Sequence, residues 1–162
     1  MDEAPKNHCD EGTRMTRALL FPLSVAVLMI MGSCTQDGPR IHYGKAECAN
    51  CRMNVVDQRF AAAIITKAGR LYVFDDAVCM VPFVIGGTVA EDQVAGWYVC
   101  DHAHPGALLD ATKAFYVHGP AYRSPMRGDV AAFATAADRD QAQGHEGGEA
   151  LDWEHAKLLL QK

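Results

Sequence analysis

The first half of the chain contains two mostly apolar segments that predict two strands joined by a hairpin. Phe60–Thr66 and Arg70–Phe74 are rich in β-branched and aromatic residues, which is typical of strands. Lys67–Gly69 separates them and fits a three-residue loop in which Gly69 takes the left-handed conformation. We therefore expect an antiparallel pair over these two segments.

A helix is predicted directly after this hairpin. Asp75 and Asp76 both belong to the residue types that cap helix N-termini, and the apolar run Ala77–Val81 follows them. Pro82 should limit or kink the helix, because proline lacks the amide hydrogen that the helical ladder needs. Gly86-Gly87 is expected to close the unit.

The second half of the chain predicts the same order of elements. We expect strands over Trp97–Cys100, Ala114–Val117 and Asp129–Thr135, a helix over Ala136–Gln143 that ends at Gly144, a turn at Gly147-Gly148, a strand over Glu149–Asp152 and a final helix over Trp153–Leu160. Strand, strand, helix and strand thus occur twice, although no internal sequence repeat accompanies them. The pattern predicts an α+β fold made of two similar halves.

An apolar tract near the start carries the features of an export signal. Arg14 and Arg17 precede the apolar run Ala18–Met31, and small residues follow it. The run is shorter than the ~20 apolar residues that a membrane-spanning helix needs. Met31-Gly32-Ser33-Cys34 resembles a bacterial lipobox, in which the cysteine is lipidated, although lipoboxes usually have leucine at the position of Met31. We predict lipidation of Cys34, with plain secretion as the alternative.

These features divide the chain into three parts. Residues 1–33 are predicted to be the leader, with Met15 as an alternative start, and residues 34–45 a lipidated tether. Residues 46–162 would form the domain, with halves at about 46–95 and 96–162. Export and lipidation predict a periplasmic protein anchored to a membrane. Thr35 stands where an Asp would mark retention in the inner membrane, which favours the outer membrane.

Composition and charge further limit the range of possible functions. The chain has 162 residues and a formal net charge of −5, without a block of basic residues. This argues against nucleic acid as a partner, and the composition is that of a globular protein. Four cysteines remain after Cys34. Because thiols outside the cytoplasm tend to be oxidised, free cysteines there usually have a function.

The segment Cys48-Ala-Asn-Cys51-Arg-Met53 brings two thiols and a thioether together. On an extended backbone Cys51 and Met53 point to the same face, so both sulfurs can reach one ion. Soft sulfur donors of this kind favour Cu(I) over harder ions. A further sulfur is available from Met126, which lies in a loop rich in proline and glycine where core packing is not the expected role.

Several motifs in a fixed order make the pattern more specific. Cys48-x-x-Cys51-x-Met53, Phe60-Ala-Ala, Gly69-x-x-Tyr72-x-Phe74-Asp75-Asp76, and Pro125-Met126 before Ala132-Phe133 together resemble the family of the nitrous oxide reductase accessory protein NosL. The resemblance runs across nearly all of the mature chain. Members of that family commonly have Cys-Gly-Met where this chain has Cys51-Arg52-Met53, so Arg52 is a departure.

The resemblance implies a periplasmic, lipid-anchored protein that binds Cu(I) and is not an enzyme. It would supply copper for the catalytic copper centre of nitrous oxide reductase, with that reductase or its assembly factors as partners. The implied fold is two similar ββαβ units packed as one compact domain, related to the organomercurial lyase fold. By position, the implied copper ligands are Cys51, Met53 and Met126, with Cys48 as a weaker candidate.

Other interpretations of the cysteine pair stay open. Cys48 and Cys51 could form a redox-active disulfide. They could also form half of a structural zinc site, completed by Cys100, His102 and His104. The family pattern does not require these histidines, so we interpret that tract as an exposed loop.

A third alternative is an enzyme similar to organomercurial lyase, with Asp76 beside Cys79 as the reacting groups. Cys79 and Met80 lie in an apolar predicted helix and are expected to be core residues, which disfavours this chemistry. Asp75 and Asp76 are expected to act as caps. His118 is expected to be an ordinary polar residue.

Overall fold

The computed structural model describes residues 38–161, so the predicted leader and the predicted lipidation at Cys34 lie outside the described residues. Within them, seven strands and three α-helices build two small antiparallel sheets. The elements are β1 Ala62–Thr66, β2 Leu71–Phe74, α1 Ala77–Ile85, β3 Val94–Cys100, β4 Leu108–Asp110, β5 Phe115–His118, β6 Val130–Phe133, α2 Ala136–Glu146, β7 Glu149–Leu151 and α3 Trp153–Leu160.

The two sheets share one topology, which confirms the prediction of two similar ββαβ units. The first sheet has the order β2-β1-β3-β4 and the second the order β6-β5-β7. In each, a hairpin is followed by a helix, and the next strand returns to pair with the first strand of the hairpin. β4 is an addition that the sequence pattern did not predict.

The first hairpin forms as the sequence predicts. Gly69 has φ of 80°, the left-handed conformation that the loop requires. The Thr66 amide donates to the Arg70 carbonyl at 2.9 Å, which closes the loop and aligns β2 with β1. Since β2 leads directly into α1, this alignment also fixes where the chain between them lies.

Helix α1 begins as predicted but does not stop at Pro82. The Asp76 carboxylate caps it by accepting from the Val78 amide at 3.1 Å, whereas Asp75 is not the cap. The helix passes through Pro82 to Ile85, and the Gly86 amide donates to the Pro82 carbonyl at 2.7 Å. Of the two effects predicted for Pro82, the limit was wrong, because most of α1 is buried and this burial outweighs the single hydrogen bond that proline removes. The kink stays a prediction.

Helix α2 likewise continues past the glycine that was predicted to end it. It runs through Gly144 and ends at Gly147, which has φ of 74° and donates its amide to the Gln143 carbonyl. A glycine inside a helix costs about 1 kcal/mol but does not by itself terminate the helix. The helix ends where the chain turns to positive φ at Gly147.

The two halves share one hydrophobic core. Phe74 and Met80 from the first half and Tyr116, Trp153 and Leu160 from the second belong to a single buried cluster. The Trp97 and Trp153 rings meet edge to face, with centroids 5.5 Å apart. The predicted domain therefore folds around contacts that cross between its halves.

No helix within residues 38–161 has both the length and the apolar character needed to cross a bilayer.

Gly148 provides a test of the second unit. Its φ is 108°, and a Cβ there would lie 2.7 Å from the His118 carbonyl oxygen of the neighbouring strand. Gly148→Ala should therefore lower the free energy of unfolding by about 2 kcal/mol. The matched control is Gly144→Ala, whose Cβ meets nothing within 4 Å and which should be neutral or stabilise by up to about 1 kcal/mol. If both variants changed the free energy of unfolding equally in denaturant titrations, the position of Gly148 against His118 would be contradicted.

Candidate metal centre

The cysteine loop, residues 48–53, is a tight turn that is hydrogen-bonded to the edge of the first sheet. The Arg52 amide donates to the Cys48 carbonyl at 3.1 Å, and the Cys48 amide donates to the Met53 carbonyl at 2.8 Å. The Ala49 amide donates to the Val73 carbonyl of β2 at 2.8 Å. The loop is thus held against the strand that leads into α1.

The attachment of the cysteine loop to β2 brings four possible metal ligands close together. Cys48 and Cys51 come from the loop, Asp75 from the end of β2 and Cys79 from the first turn of α1. Their ligand atoms all lie within 4.8 Å of one another. Cys48, Asp75 and Cys79 are buried, and Cys51 is partly exposed. The cluster therefore has a buried side and an open side, and Cys51 lies on the open side.

Hydrogen bonds favour the thiolate of Cys48. The strongest influence is the Cys79 thiol, which donates to the Cys48 sulfur; burial opposes ionisation, and the backbone amides of Cys51, Asp75 and Asn50 add further donors. Together these groups lower the pKa of Cys48 to about 6. These donors thus favour the thiolate form of Cys48, which is the form that binds metal ions.

The surroundings of the other two thiols oppose ionisation. Donation to Cys48 and burial raise the pKa of Cys79. Burial is the first cause that raises the pKa of Cys51, and the nearby charges of Cys48 and Asp75 add to it. The Cys51 sulfur lies 3.5 Å from both carboxylate oxygens of Asp75 and donates to them. Ionisation in the cluster is thus favoured at Cys48 over the other two cysteines.

Arg52 has a backbone conformation that glycine adopts more easily. Its φ is 69°, the left-handed conformation that side chains with a Cβ rarely adopt. Its own side chain is largely exposed and makes a weak ion pair with Glu47 at 3.7 Å. The turn that presents Cys51 and Met53 therefore demands this conformation even when the residue is arginine.

Asp76 connects α1 to the loop that carries Met126. One carboxylate oxygen accepts from the Val78 amide, and the other accepts from the Met126 amide at 3.1 Å. The Ser124 side chain and the Gly128 amide also donate to this carboxylate. Burial raises the pKa of Asp76, while these donors oppose the shift. A single buried carboxylate thus fixes the Met126 loop relative to the start of the helix.

The predicted ligands have different surroundings. Cys48 and Cys51 lie together in the cluster. Met53 follows them on the same loop with its side chain 51 % exposed, and its amide donates to the Cys51 sulfur. Met126 is partly buried and packs against the core cluster that includes Cys48 and Cys79. The role of the two methionines as ligands stays a prediction.

Sequence reasoning did not include Asp75 and Cys79 in the site. Cys79 is buried as predicted, but its thiol also contacts Cys48. Asp75 was expected to cap the helix, whereas Asp76 does so and Asp75 faces Cys51. The available signal was the pair Asp75 and Cys79 four residues apart at a strand-to-helix junction, with a sulfur on the first turn.

The zinc site completed by Cys100, His102 and His104 does not form. Cys100 is buried and its sulfur lies 3.1 Å from the Tyr43 hydroxyl. The His104 ring bonds Asp101, and His102 packs against aromatic rings. Among residues 38–161, these three side chains stay outside the cluster formed by the cysteine loop.

Comparisons with known proteins agree with this architecture. The profile of the NosL family matches residues 41–157. The fold is similar to the crystal structure of the copper chaperone NosL from Shewanella denitrificans, with a TM-score of 0.61 and 19 % sequence identity. The match covers 72 % of this chain and 92 % of that chain. A search of curated protein sequences gave no significant match.

The strain at Arg52 predicts a difference between two substitutions. Arg52→Gly and Arg52→Ala both remove the weak pair with Glu47, but only glycine relieves the left-handed conformation. Arg52→Gly should therefore be more stable than Arg52→Ala by about 1 kcal/mol. Denaturant unfolding of both variants measures this difference. If the two variants were equally stable, the turn would not have the backbone conformation described above.

The hydrogen bonds to Cys48 predict an unusual titration. Thiolate absorbance of the reduced, metal-free chain should fall as the pH is lowered through about 6, because Cys48 takes up its proton there. Cys48→Ser should remove this step. If all thiolate absorbance disappeared near the ordinary thiol pKa of about 8.5, the proposed donors to Cys48 would not be acting on it.

Proposed function

The chain belongs to the NosL family, and on this premise we propose that it is a copper-binding chaperone that carries Cu(I) as cargo and is not an enzyme. The observation that carries this proposal is the cluster of three cysteine sulfurs at the edge of the first sheet. Thiolates and thioethers are soft donors, and Cu(I) is the biological ion that they favour together.

The sulfurs available to the ion extend from the buried cluster to the surface. Cys48 is fully buried, Cys51 is partly exposed, and Met53 is half exposed on the same loop. We propose Cys51, Met53 and Met126 as copper ligands, with Cys48 supporting them. A copper ion that few ligands hold near the surface can bind a donor atom of a partner protein before it dissociates from its ligands in this chain.

We further propose that the acceptor is nitrous oxide reductase or one of its assembly factors, in the periplasm. Support comes from the family and from the sequence pattern of a leader ending at Cys34. A lipid on Cys34 would anchor the chain to the membrane, with the outer membrane favoured by Thr35. Labelling cells with a radioactive fatty acid tests the anchor, since Cys34→Ala should lose the label.

A zinc protein is the second candidate, and one observation favours it. Three cysteines and Asp75 supply four ligand atoms within 4.8 Å of one another, and four is the number of ligands in structural zinc sites. A structural zinc site should lose its fold when a chelator removes the metal, because binding and folding are then coupled. A chaperone should keep its fold, so the far-ultraviolet circular dichroism of chelator-treated protein separates the two candidates.

Removal of the cysteine pair tests the proposed function. The double variant Cys48→Ser/Cys51→Ser should lose retention of Cu(I) against a cuprous chelator, because only Cys79 and the methionines would remain. The matched control is Cys100→Ser, which removes another buried cysteine that lies outside the cluster. Anaerobic competition titrations should show the control equal to the unaltered chain. Equal retention by the double variant would refute the proposed site.

A further inference from the structure

A pocket of about 380 Å³ lies beside the cysteine loop, along the outer edge of the first sheet. Glu47, Ala49 and Arg52 line it on one side, and residues 70–73 line it on the side of β2. β2 is an outermost strand of its sheet, so within residues 38–161 no other strand of the sheet covers this edge. Resting on the proposed function, we propose that the copper acceptor docks here with an extended, acidic segment that pairs with β2.

The backbone of β2 offers hydrogen-bonding groups along this edge. The Arg70 carbonyl accepts from the Thr66 amide of β1 at 2.9 Å, and backbone groups alternate between the two sides of a strand. Those of Leu71 and Val73 therefore face away from β1, and the Val73 carbonyl accepts from the Ala49 amide there. Among the described residues, no backbone group pairs with the Leu71 amide, the Leu71 carbonyl or the Val73 amide. An extended peptide can supply these partners by strand addition.

Two arginines make the pocket attractive to carboxylates. The Arg70 guanidinium stacks on the Tyr72 ring, 4.5 Å from its centroid, and forms no ion pair with any residue in 38–161. Arg52 has only the weak pair with Glu47. Two arginines against one glutamate leave the pocket with an excess of positive charge, in a chain whose formal net charge is −5. Charge complementarity thus favours a partner segment that carries carboxylates.

The two faces of β2 indicate how such a segment is patterned. Arg70 and Tyr72 project from one face of the strand, and the exposed Leu71 projects from the other. Phe83 of α1 packs against Tyr72 on the first face, with ring centroids 5.2 Å apart. A segment that alternates acidic and apolar residues can therefore place its carboxylates beside Arg70 and its apolar side chains beside Leu71.

The pocket lies next to the exposed sulfurs. Arg52 lines it and separates Cys51 from Met53 in the sequence. Cys51 is partly exposed and Met53 is half exposed. A segment bound along β2 therefore holds the acceptor beside two of the proposed copper ligands, so a donor atom of the acceptor can approach the ion without a large movement of either protein.

A second copy of this chain is the alternative occupant of the edge. A two-fold interface would bring the same two arginines from both copies to one contact, and like charges oppose it. We expect the reduced, metal-free chain to leave the Leu71 and Val73 amides open to hydrogen exchange. Protection of these amides in a dimer of the chain, without any added peptide, would overturn the proposal.

A short synthetic peptide of alternating valine and glutamate tests the docking site on the reduced, metal-free chain. In nuclear magnetic resonance titrations, saturable binding should shift the amide signals of Leu71 and Val73. Peptides with lysine for glutamate, or proline for the central valine, should bind about tenfold more weakly, because they lose the attraction to arginine or a backbone donor. Equal binding of either peptide, or shifts confined to residues away from β2, would overturn the proposal.

A charge reversal on the chain separates docking from copper binding. Arg70→Glu should weaken binding of the acidic peptide by about tenfold, because repulsion replaces attraction. It should leave Cu(I) retention against a cuprous chelator unchanged, since Arg70 lies outside the metal cluster. The matched control is Lys113→Glu, which reverses a side chain that is 81 % exposed and lies outside the pocket. This control should bind the peptide like the unaltered chain.

The two possible failures are distinct, because the peptide titration uses no copper. If Arg70→Glu bound the acidic peptide as tightly as the unaltered chain, the docking site would be wrong even where Cu(I) is retained. If the unaltered chain retained no Cu(I), the proposed function would fail, and with it the identification of the docked partner as a copper acceptor.

Discussion

The site depends on the junction between β2 and α1, where two consecutive carboxylates serve different partners. The chain is extended at Asp76, with φ of −156°, so Asp75 and Asp76 point in different directions. Asp75 faces the cysteine loop and accepts from Cys51. Asp76 caps α1 and holds the Met126 loop from the second half of the domain. A single dipeptide thus positions the sulfur cluster against both halves of the fold.

This constraint explains why the structure keeps unusual backbone conformations near the site. Arg52 in the cysteine loop and Arg127 and Asp129 in the Met126 loop all have positive φ without being glycine. Such residues cost free energy and persist only where surrounding contacts determine the conformation. Here the contacts are the β2 hydrogen bond to Ala49 for one loop and the Asp76 carboxylate for the other. The strain is therefore located where donors must be held in position.

The sequence pattern predicted the order of the elements well, because strand-forming residues and helix caps are local properties. It failed where burial or a contact between distant residues determines the structure. Pro82 does not end α1, since the buried face of the helix holds it together. Cys79 was correctly placed in the core, but its contact with Cys48 depends on how the loop docks onto β2. Periodicity can show that a cysteine is buried, but it cannot show which other sulfur that cysteine contacts.

If this cluster of sulfurs binds Cu(I), anaerobic titration of the reduced, unaltered chain in the presence of a competing cuprous chelator should show that each chain retains a single Cu(I) and that zinc does not displace it. Loss of all the copper to the chelator, or its displacement by zinc at equal concentration, would show that the cluster is not a Cu(I) site.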